Sequence, residues 1–302
     1  MNASLRQPPA LRAGARIGVL GVSSPSNLDR LEAGYDSLRF AGFEPVEFPT
    51  ARGRATQFSW LVGTDAERAA DLRKALLDSD IDAIFLVSGG YGSQRTLEAL
   101  DWSGLEATTP KLVVGYSDVT GLLEAVASRL GWSSIMGPMV SEHEFAESYS
   151  FNSLIRLATG THPELVLQFP DAHTVTPGRA DGITCGGNLS LLAGSVGTDT
   201  AWVPDQGIWL LEDETESPER IDTMLTHLRR AGYFDDAAGI ICGTWHDSGD
   251  EDVLSRVVRD RLGSLGIPTI DGANIGHGGH VQSYPIGVAA TLDADARTLT
   301  LE

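Results

Sequence analysis

The chain has 302 residues, 42% of them hydrophobic, with 41 acidic side chains against 22 basic ones and a formal charge of −19. That length suits one large or two medium domains with a full core, while the charge excludes the basic patch that nucleic acid or an anionic membrane surface requires. With two cysteines, Cys185 and Cys242, outside any CxxC or Cys/His spacing, and no 18-residue apolar run, neither a disulfide framework nor a structural zinc nor a membrane-spanning helix is expected.

Residues 1–22 contain no uninterrupted apolar stretch before a small-residue cleavage site. The run 17–22 therefore reads as a first strand rather than a signal peptide, and the chain as a soluble cytoplasmic protein. The Ser/Pro/Asn cluster at 23–27 follows as a loop. Residues 27–40 have helical spacing, with Leu28, Leu31, Tyr35 and Leu38 on one face and Gly42 as the stop. A strand at 43–48, a helix at 65–77 and a strand at 81–87 come next. Gly89–Gly92 make a turn into a helix around 95–100, followed by a strand at 112–116 and a helix at 118–130. Strands separated by helices of this length imply parallel βαβ units of the flavodoxin- or Rossmann-like kind. In such sheets ligands gather beyond the carboxyl ends of the strands. The loops at 23–27, 89–92 and 116–118 are expected to converge on one edge.

After about residue 145 the rhythm changes. Segment 161–178 is polar, with Pro163, Pro170 and Pro177 and no long helical period. A linker is expected over 146–178, dividing an α/β domain at 1–145 from a smaller, strand-rich α+β domain at 179–302. Short strands are expected at 182–185, 208–211 and 240–242. One clear helix begins at the Ser217-Pro218 cap, with Ile221, Met224, Leu225 and Leu228 on its buried face and Gly232 ending it. Strands at 288–292 and 298–301 around Asp293–Asp295 read as a C-terminal hairpin.

Ser117, in KLVVGYSDVTGLL, stands between a buried strand and a helix. The unpaired N–H groups of that helix start suit a nucleophile that must form an oxyanion. A serine there can equally be a plain helix cap. A serine nucleophile needs a base and an orienting acid. Of seven histidines, His277 is flanked by Gly276, Gly278 and Gly279, which allow close backbone approach to another element. His280 ranks below it, and His246, in GTWHD, is a second choice. His227 reads as a surface residue, and His143, His162 and His173 sit in polar loops. A flexible glycine loop with incidental histidines fits the same string. Glu212 is the first acid after the apolar run 207–211, where a rigid, partly desolvated histidine partner belongs. Asp213, Glu214 and Glu216 fit a solvated strand end leading into a helix. Oxyanion donors could come from the N–H of Asp118 and from Gly89 or Gly90 in SGGYGS. That loop matches neither GxxxxGK[ST] nor GxGxxG, and HEF at 143–145 is not HExxH.

Six strings together resemble the LD-carboxypeptidase family of serine peptidases, which includes the microcin C immunity peptidases. They are VSGGYGSQRTLEALDW (87–102), KLVVGYSDVTGLL (111–123), MGPM (136–139), GGNLSLLAGSVGT (186–198), LLEDETESPERIDTMLTHLRRAGYF (210–234) and NIGHGGHVQSYPIGV (274–288). They occur in the family's order over most of the chain. The resemblance implies a Ser–His–Glu triad of Ser117, His277 and Glu212. It implies oxyanion donors at the N–H groups of Gly90 and Asp118, with Gly89 and Tyr91 of the same loop touching substrate. It also implies a site at the junction of an α/β and a strand-rich domain, no metal or cofactor, and a homodimer. Two departures stand out: Ser88 replaces the arginine that often precedes the paired glycines, and GYSD is not the GxSxG of an ordinary α/β-hydrolase. The expected substrate is a small peptide, a murein tetrapeptide losing its terminal D-alanine in wall recycling. The alternatives are a peptidyl- or aminoacyl-nucleotide, for which Trp202, Trp209 or Trp245 could stack on a base, and a non-catalytic ligand-binding role. The polar stretch 141–178 could cover the site as a lid.

Overall fold

The structure is a computed structural model that describes residues 5–160 and 165–302. His162 and Pro163, named above, lie outside the described residues. The first half contributes strands β1 (Arg16–Leu20), β2 (Glu44–Glu47), β3 (Ala83–Leu86), β4 (Leu112–Gly115) and β5 (Ser134–Met136). The second half contributes β6 (Val166–Gln168), β7 (His173–Thr176), β8 (Arg179–Asn188), β9 (Gly207–Glu214), β10 (Gly239–His246) and β11 (Thr269–Asp271). It ends with β12 (Tyr284–Ile286), β13 (Ala289–Asp293) and β14 (Thr298–Leu301).

β1–β5 pair in parallel in the order β2-β1-β3-β4-β5. This is the flavodoxin-like doubly wound order, whose direction reverses between β1 and β3 and opens a crevice at the strand ends. The strands bury both faces, and alternate residues point to opposite layers. Ile17, Val19, Phe85 and Val114 pack under the helix Leu28–Phe40. Leu20, Ile84, Leu86 and Val113 pack under the helices Asp65–Leu77 and Thr120–Ala125. Local signals set the helix starts. Asn27 accepts from the Arg30 N–H, and Thr64 and Glu67 form a reciprocal capping box.

The second sheet has the order β6-β14-β13-β8-β9-β10-β11-β7. Its centre, β8-β9-β10-β11, is parallel, and β13 and β14 form the expected antiparallel hairpin. Trp209, Leu211, Ile240 and Cys242 face the helices Leu189–Ser195, Pro218–Arg230 and Glu251–Arg261. Ile208, Leu210 and Ile241 face the other way, into the core cluster that also holds Leu86 and Met136 of the first sheet. The second half is therefore itself layered α/β with three helices, where the sequence pattern shows one. Asp250 caps the helix Glu251–Arg261 through the Val253 N–H, a signal that was legible. The helix Leu189–Ser195 is only seven residues long.

The stretch 146–178 is not a plain linker. The helix Ser148–Thr159 lies in it and contributes Leu154 and Ala158 to the layer beneath Leu31 and Leu38. β6 and β7 of the same stretch are the two edge strands of the second sheet. Chain from the second half also returns to the first sheet, as β12 pairs antiparallel with β5. Tyr284 in that strand donates its hydroxyl to the Ile208 carbonyl at 2.8 Å. Among the described residues no helix is long and apolar enough to cross a membrane.

Candidate active site

The loops after β1, β3 and β4 meet at one edge of the first sheet. Asp118 ties them together: its Oδ2 accepts from Ser23 Oγ at 2.6 Å and from the Ser93 N–H at 2.8 Å, and its carbonyl accepts from Ser93 Oγ. Ser24 N–H donates to the Gly89 carbonyl at 3.1 Å, and the Tyr91 N–H donates to Ser24 Oγ at 3.2 Å. Gly90 has φ +94°, and a Cβ there would lie 2.3 Å from Ser24 Oγ, so only glycine lets the loop close on the β1 loop. Asp118 thus has a structural carboxylate as well as the N–H that the sequence pointed to.

Ser117 follows this cross-link at the end of β4. Its φ of +58° is left-handed, a conformation that costs a non-glycine residue about 1–3 kcal/mol and collects at functional sites. The side chain is half-buried, and among the described residues its hydroxyl makes no hydrogen bond. A Cβ on Gly89 would lie 3.4 Å from Ser117 Oγ, so the glycine pair lies directly against the serine.

The acid and the imidazole come from the second half. β9 runs on to Glu214, so Ile208, Leu210, Glu212 and Glu214 share one face, the face turned toward the first sheet. Glu212 is fully buried there. Its Oε2 lies 2.7 Å from His277 Nδ1, and its Oε1 has no partner. Glu214 Oε2 lies 3.5 Å from His277 Nε2. Gly276 has φ +115°, and a Cβ on it would fall 2.5 Å from Glu212 Oε2, so glycine is required where the His277 loop meets the acid. The loop is pinned from outside by the helix Ser148–Thr159: the Val281 N–H donates to Ser150 Oγ at 3.0 Å and the Ser283 N–H to Ser153 Oγ at 2.9 Å.

Burial of the His277 ring disfavours its charge. The hydrogen bond and charge of Glu212, with Glu214 and Asp213 beyond, outweigh this and raise its pKa to about 9. Asp213 is pushed up to about 6 by burial. It is not the solvated strand-end acid the sequence suggests, because it points the opposite way from Glu212 and accepts from Asn188 Nδ2 and the Ser190 N–H.

Ser117, His277, Gly89 and Gly90 line one pocket of about 540 Å³. The His277 imidazole and the Tyr116 ring stand 5.0 Å apart between centroids. No hydrogen bond joins Ser117 Oγ to His277 among the described residues. Tyr91 is 53% exposed and lies outside the lining. His246 lies on the rim beside Glu214, not beside Glu212. His143 also lines the pocket, His227 is exposed, His173 pairs with Asp271 and His280 with Glu147. Sequence reasoning missed Glu142, which lines the pocket and has its carboxyl raised by burial and by neighbouring Glu144, while the Gly89 N–H draws it down. It also missed Glu214, which a longer β9 would have put on the Glu212 face.

A model described as the LD-carboxypeptidase N-terminal domain matches residues 17–137, and one described as the LD-carboxypeptidase C-terminal domain matches 181–292. The chain belongs to the LD-carboxypeptidase family. Within this family it is 41% identical to a putative carboxypeptidase of Streptomyces coelicolor over 99% of this chain and 96% of that protein. A probable murein peptide carboxypeptidase of Bacillus subtilis is 30% identical over 98% of this chain and 94% of its own. The Microcin C7 self-immunity protein MccF of Escherichia coli is 26% identical over 96% and 94%. A solved structure of MccF with glutamyl sulfamoyl guanosine superposes with a TM-score of 0.86 over 99% of this chain and 98% of that one, at 24% identity. This LD-carboxypeptidase family member therefore shares its two-sheet fold with solved relatives.

Proposed function

We propose that the protein is a serine LD-carboxypeptidase that removes the terminal D-amino acid of a murein tetrapeptide through an acyl-enzyme. The observation that carries the reading is the buried His277–Glu212 pair opening onto the same pocket as Ser117, the serine held in a left-handed turn.

In this reading Ser117 Oγ attacks the carbonyl before the D-residue. Its proton passes to Nε2 of a neutral His277, the nitrogen that Glu212 does not engage, with Glu214 Oε2 3.5 Å away. The N–H groups of Gly90 and Asp118 receive the oxyanion, a contribution worth about a hundredfold or more per donor. Collapse breaks the C–N bond, the protonated His277 gives its proton to the leaving amine, and the free D-amino acid departs. Water, deprotonated by His277, then attacks the ester and restores Ser117. Gly89, beside the Gly90 donor, contacts substrate, and Tyr91, outside the pocket lining, does not. The nucleophile belongs to a domain at 1–145 and the acid and base to one at 179–302, with the reaction in the cytoplasm and the enzyme a homodimer.

Cleavage of an aminoacyl-nucleotide is less well supported. Trp209 is fully buried in the core, Trp245 donates to Asp271, and Trp202 packs against the core, so none of the three lines the pocket. The deciding experiment incubates murein tetrapeptide and a processed microcin C analogue with wild type and Ser117→Ala. Release of D-alanine by wild type alone is expected. Turnover of only the nucleotide conjugate overturns the substrate assignment, and binding of either compound without turnover points to a non-catalytic protein. Sedimentation velocity reads the oligomeric state.

A further inference from the structure

Among the described residues five carboxylates line the pocket, Glu142, Glu144, Asp213, Glu214 and Glu216, and one arginine or lysine, Arg30. Several of the acids have partners: Asp213 accepts from Asn188 and Ser190, Glu216 pairs with Arg220 at 3.5 Å, and Glu214 faces His277 and His246. Arg30 differs. Among the described residues its guanidinium makes no hydrogen bond or ion pair, and only its backbone N–H is engaged, by the Asn27 cap at 3.0 Å. Near this edge, exposed Arg52 and half-buried Arg95 are tied to carboxylates, and exposed Arg54 lies outside the pocket lining. Arg30 stands in the first turn of the helix Leu28–Phe40, directly after the β1 loop and beside the crevice where the sheet order reverses.

A carboxypeptidase substrate ends in an α-carboxylate one residue beyond the scissile carbonyl. A pocket with five carboxylates repels that group unless a cation meets it. Ser88, which precedes the glycine pair, is buried with its hydroxyl donated to the Ser24 carbonyl at 2.9 Å, and it supplies no charge. We propose that Arg30 binds the terminal α-carboxylate of the departing D-amino acid and thereby restricts the site to chain ends. A guanidinium suits this role because its planar fork meets both carboxylate oxygens at once. Arg30 is a specificity-determining residue in this assignment, which rests on the serine carboxypeptidase reading above.

The test compares wild type, Arg30→Gln and Arg30→Lys on murein tetrapeptide and on the same peptide with a C-terminal amide. Wild type is expected to prefer the free acid. Arg30→Gln is expected to raise KM for the acid by about ten- to a hundredfold with kcat nearly unchanged, and to lose the preference over the amide. Arg30→Lys restores part of the preference through its charge without the fork. The melting temperature stays at the wild-type value, since the side chain is exposed and makes no hydrogen bond or ion pair among the described residues. An Arg30→Gln enzyme with wild-type KM and acid preference overturns the assignment while leaving the carboxypeptidase reading intact. A folded wild type that releases no D-alanine overturns that reading, and this one with it.

Discussion

His277 Nδ1 lies 2.7 Å from Oε2 of Glu212, a carboxylate with no exposed surface. Two strands' worth of packing stand behind that contact. Glu212 is locked in β9 between β8 and β10, and the His277 loop is clamped between Gly276 on one side and Ser150 on the other. Glu212→Gln keeps the shape and loses the charge that fixes the tautomer. A fall in kcat of about 10⁴-fold is expected, by analogy with the acid-to-amide change in serine protease triads. Steady-state release of D-alanine measures it, and a variant within tenfold of wild type would remove Glu212 from the mechanism.

The pKa of about 9 on His277 has a direct kinetic consequence. The ring must be neutral to accept the Ser117 proton, so kcat/KM should rise with pH and level off near that value. Glu214→Gln removes one of the charges that hold the proton, and should move the inflection to lower pH. A flat profile above pH 6.5 contradicts this. The sign for stability is opposite. A histidine raised from 6.5 to about 9 on folding contributes stability that is complete below pH 6.5 and is lost as pH climbs through about 9. Denaturation at several pH values reads that loss.

Ser117→Ala and Ser117→Gly should be equally inactive and unequally stable. Both remove the hydroxyl, but only glycine relieves the φ of +58°. Ser117→Gly is expected to be about 1 kcal/mol more stable than Ser117→Ala. Identical melting temperatures for the two would show that the turn is unstrained.

Gly276→Ala sets a methyl group 2.5 Å from Glu212 Oε2 at a φ of +115°. Either the acid or the loop must move. The expected result is a folded protein with kcat reduced at least a hundredfold and a His277 proton resonance titrating nearer its ordinary pKa. A wild-type titration curve in this variant would show that the pair tolerates the displacement.

Ser150 is fully buried, and its hydroxyl joins the Val281 N–H to Glu147. Ser150→Ala leaves that N–H unsatisfied, at a cost of about 1–3 kcal/mol, and loosens the loop that carries His277. Lower kcat with unchanged KM is expected, together with faster amide exchange over 276–283. Unchanged exchange there would mean that the helix Ser148–Thr159 does not hold the loop.

Much of this arrangement was legible beforehand, and the exceptions have specific causes. Continuous apolar runs and capped, period-3.6 segments located the first sheet and its helices, because both faces of a parallel sheet must be apolar. The glycines beside Ser117 and His277 are visible as a signal, although only the structure shows that Gly276 answers to Glu212 and Gly90 to Ser24. The helix Ser148–Thr159 was overlooked next to a polar, proline-bearing stretch. Glu214 and Asp213 differ from the sequence reading because strand length was read from hydrophobicity, whereas β9 continues through three acids with Asn188 across from Glu212 and with Trp245 and His246 across from Asp213 and Glu214.

The sequence by itself determined the βαβ rhythm, the family, and the residue types and order of the serine, acid and histidine, since these follow from local periodicity and short-range motifs. The tertiary structure alone decided that a strand face from the second half turns its acids toward a serine turn in the first, that Glu214 joins Glu212 around His277, and that Arg30, with no ion pair among the described residues, stands among the pocket's carboxylates. Those relations depend on contacts between segments some 63 to 186 residues apart in the chain, and no local pattern of side chains encodes which distant groups will meet.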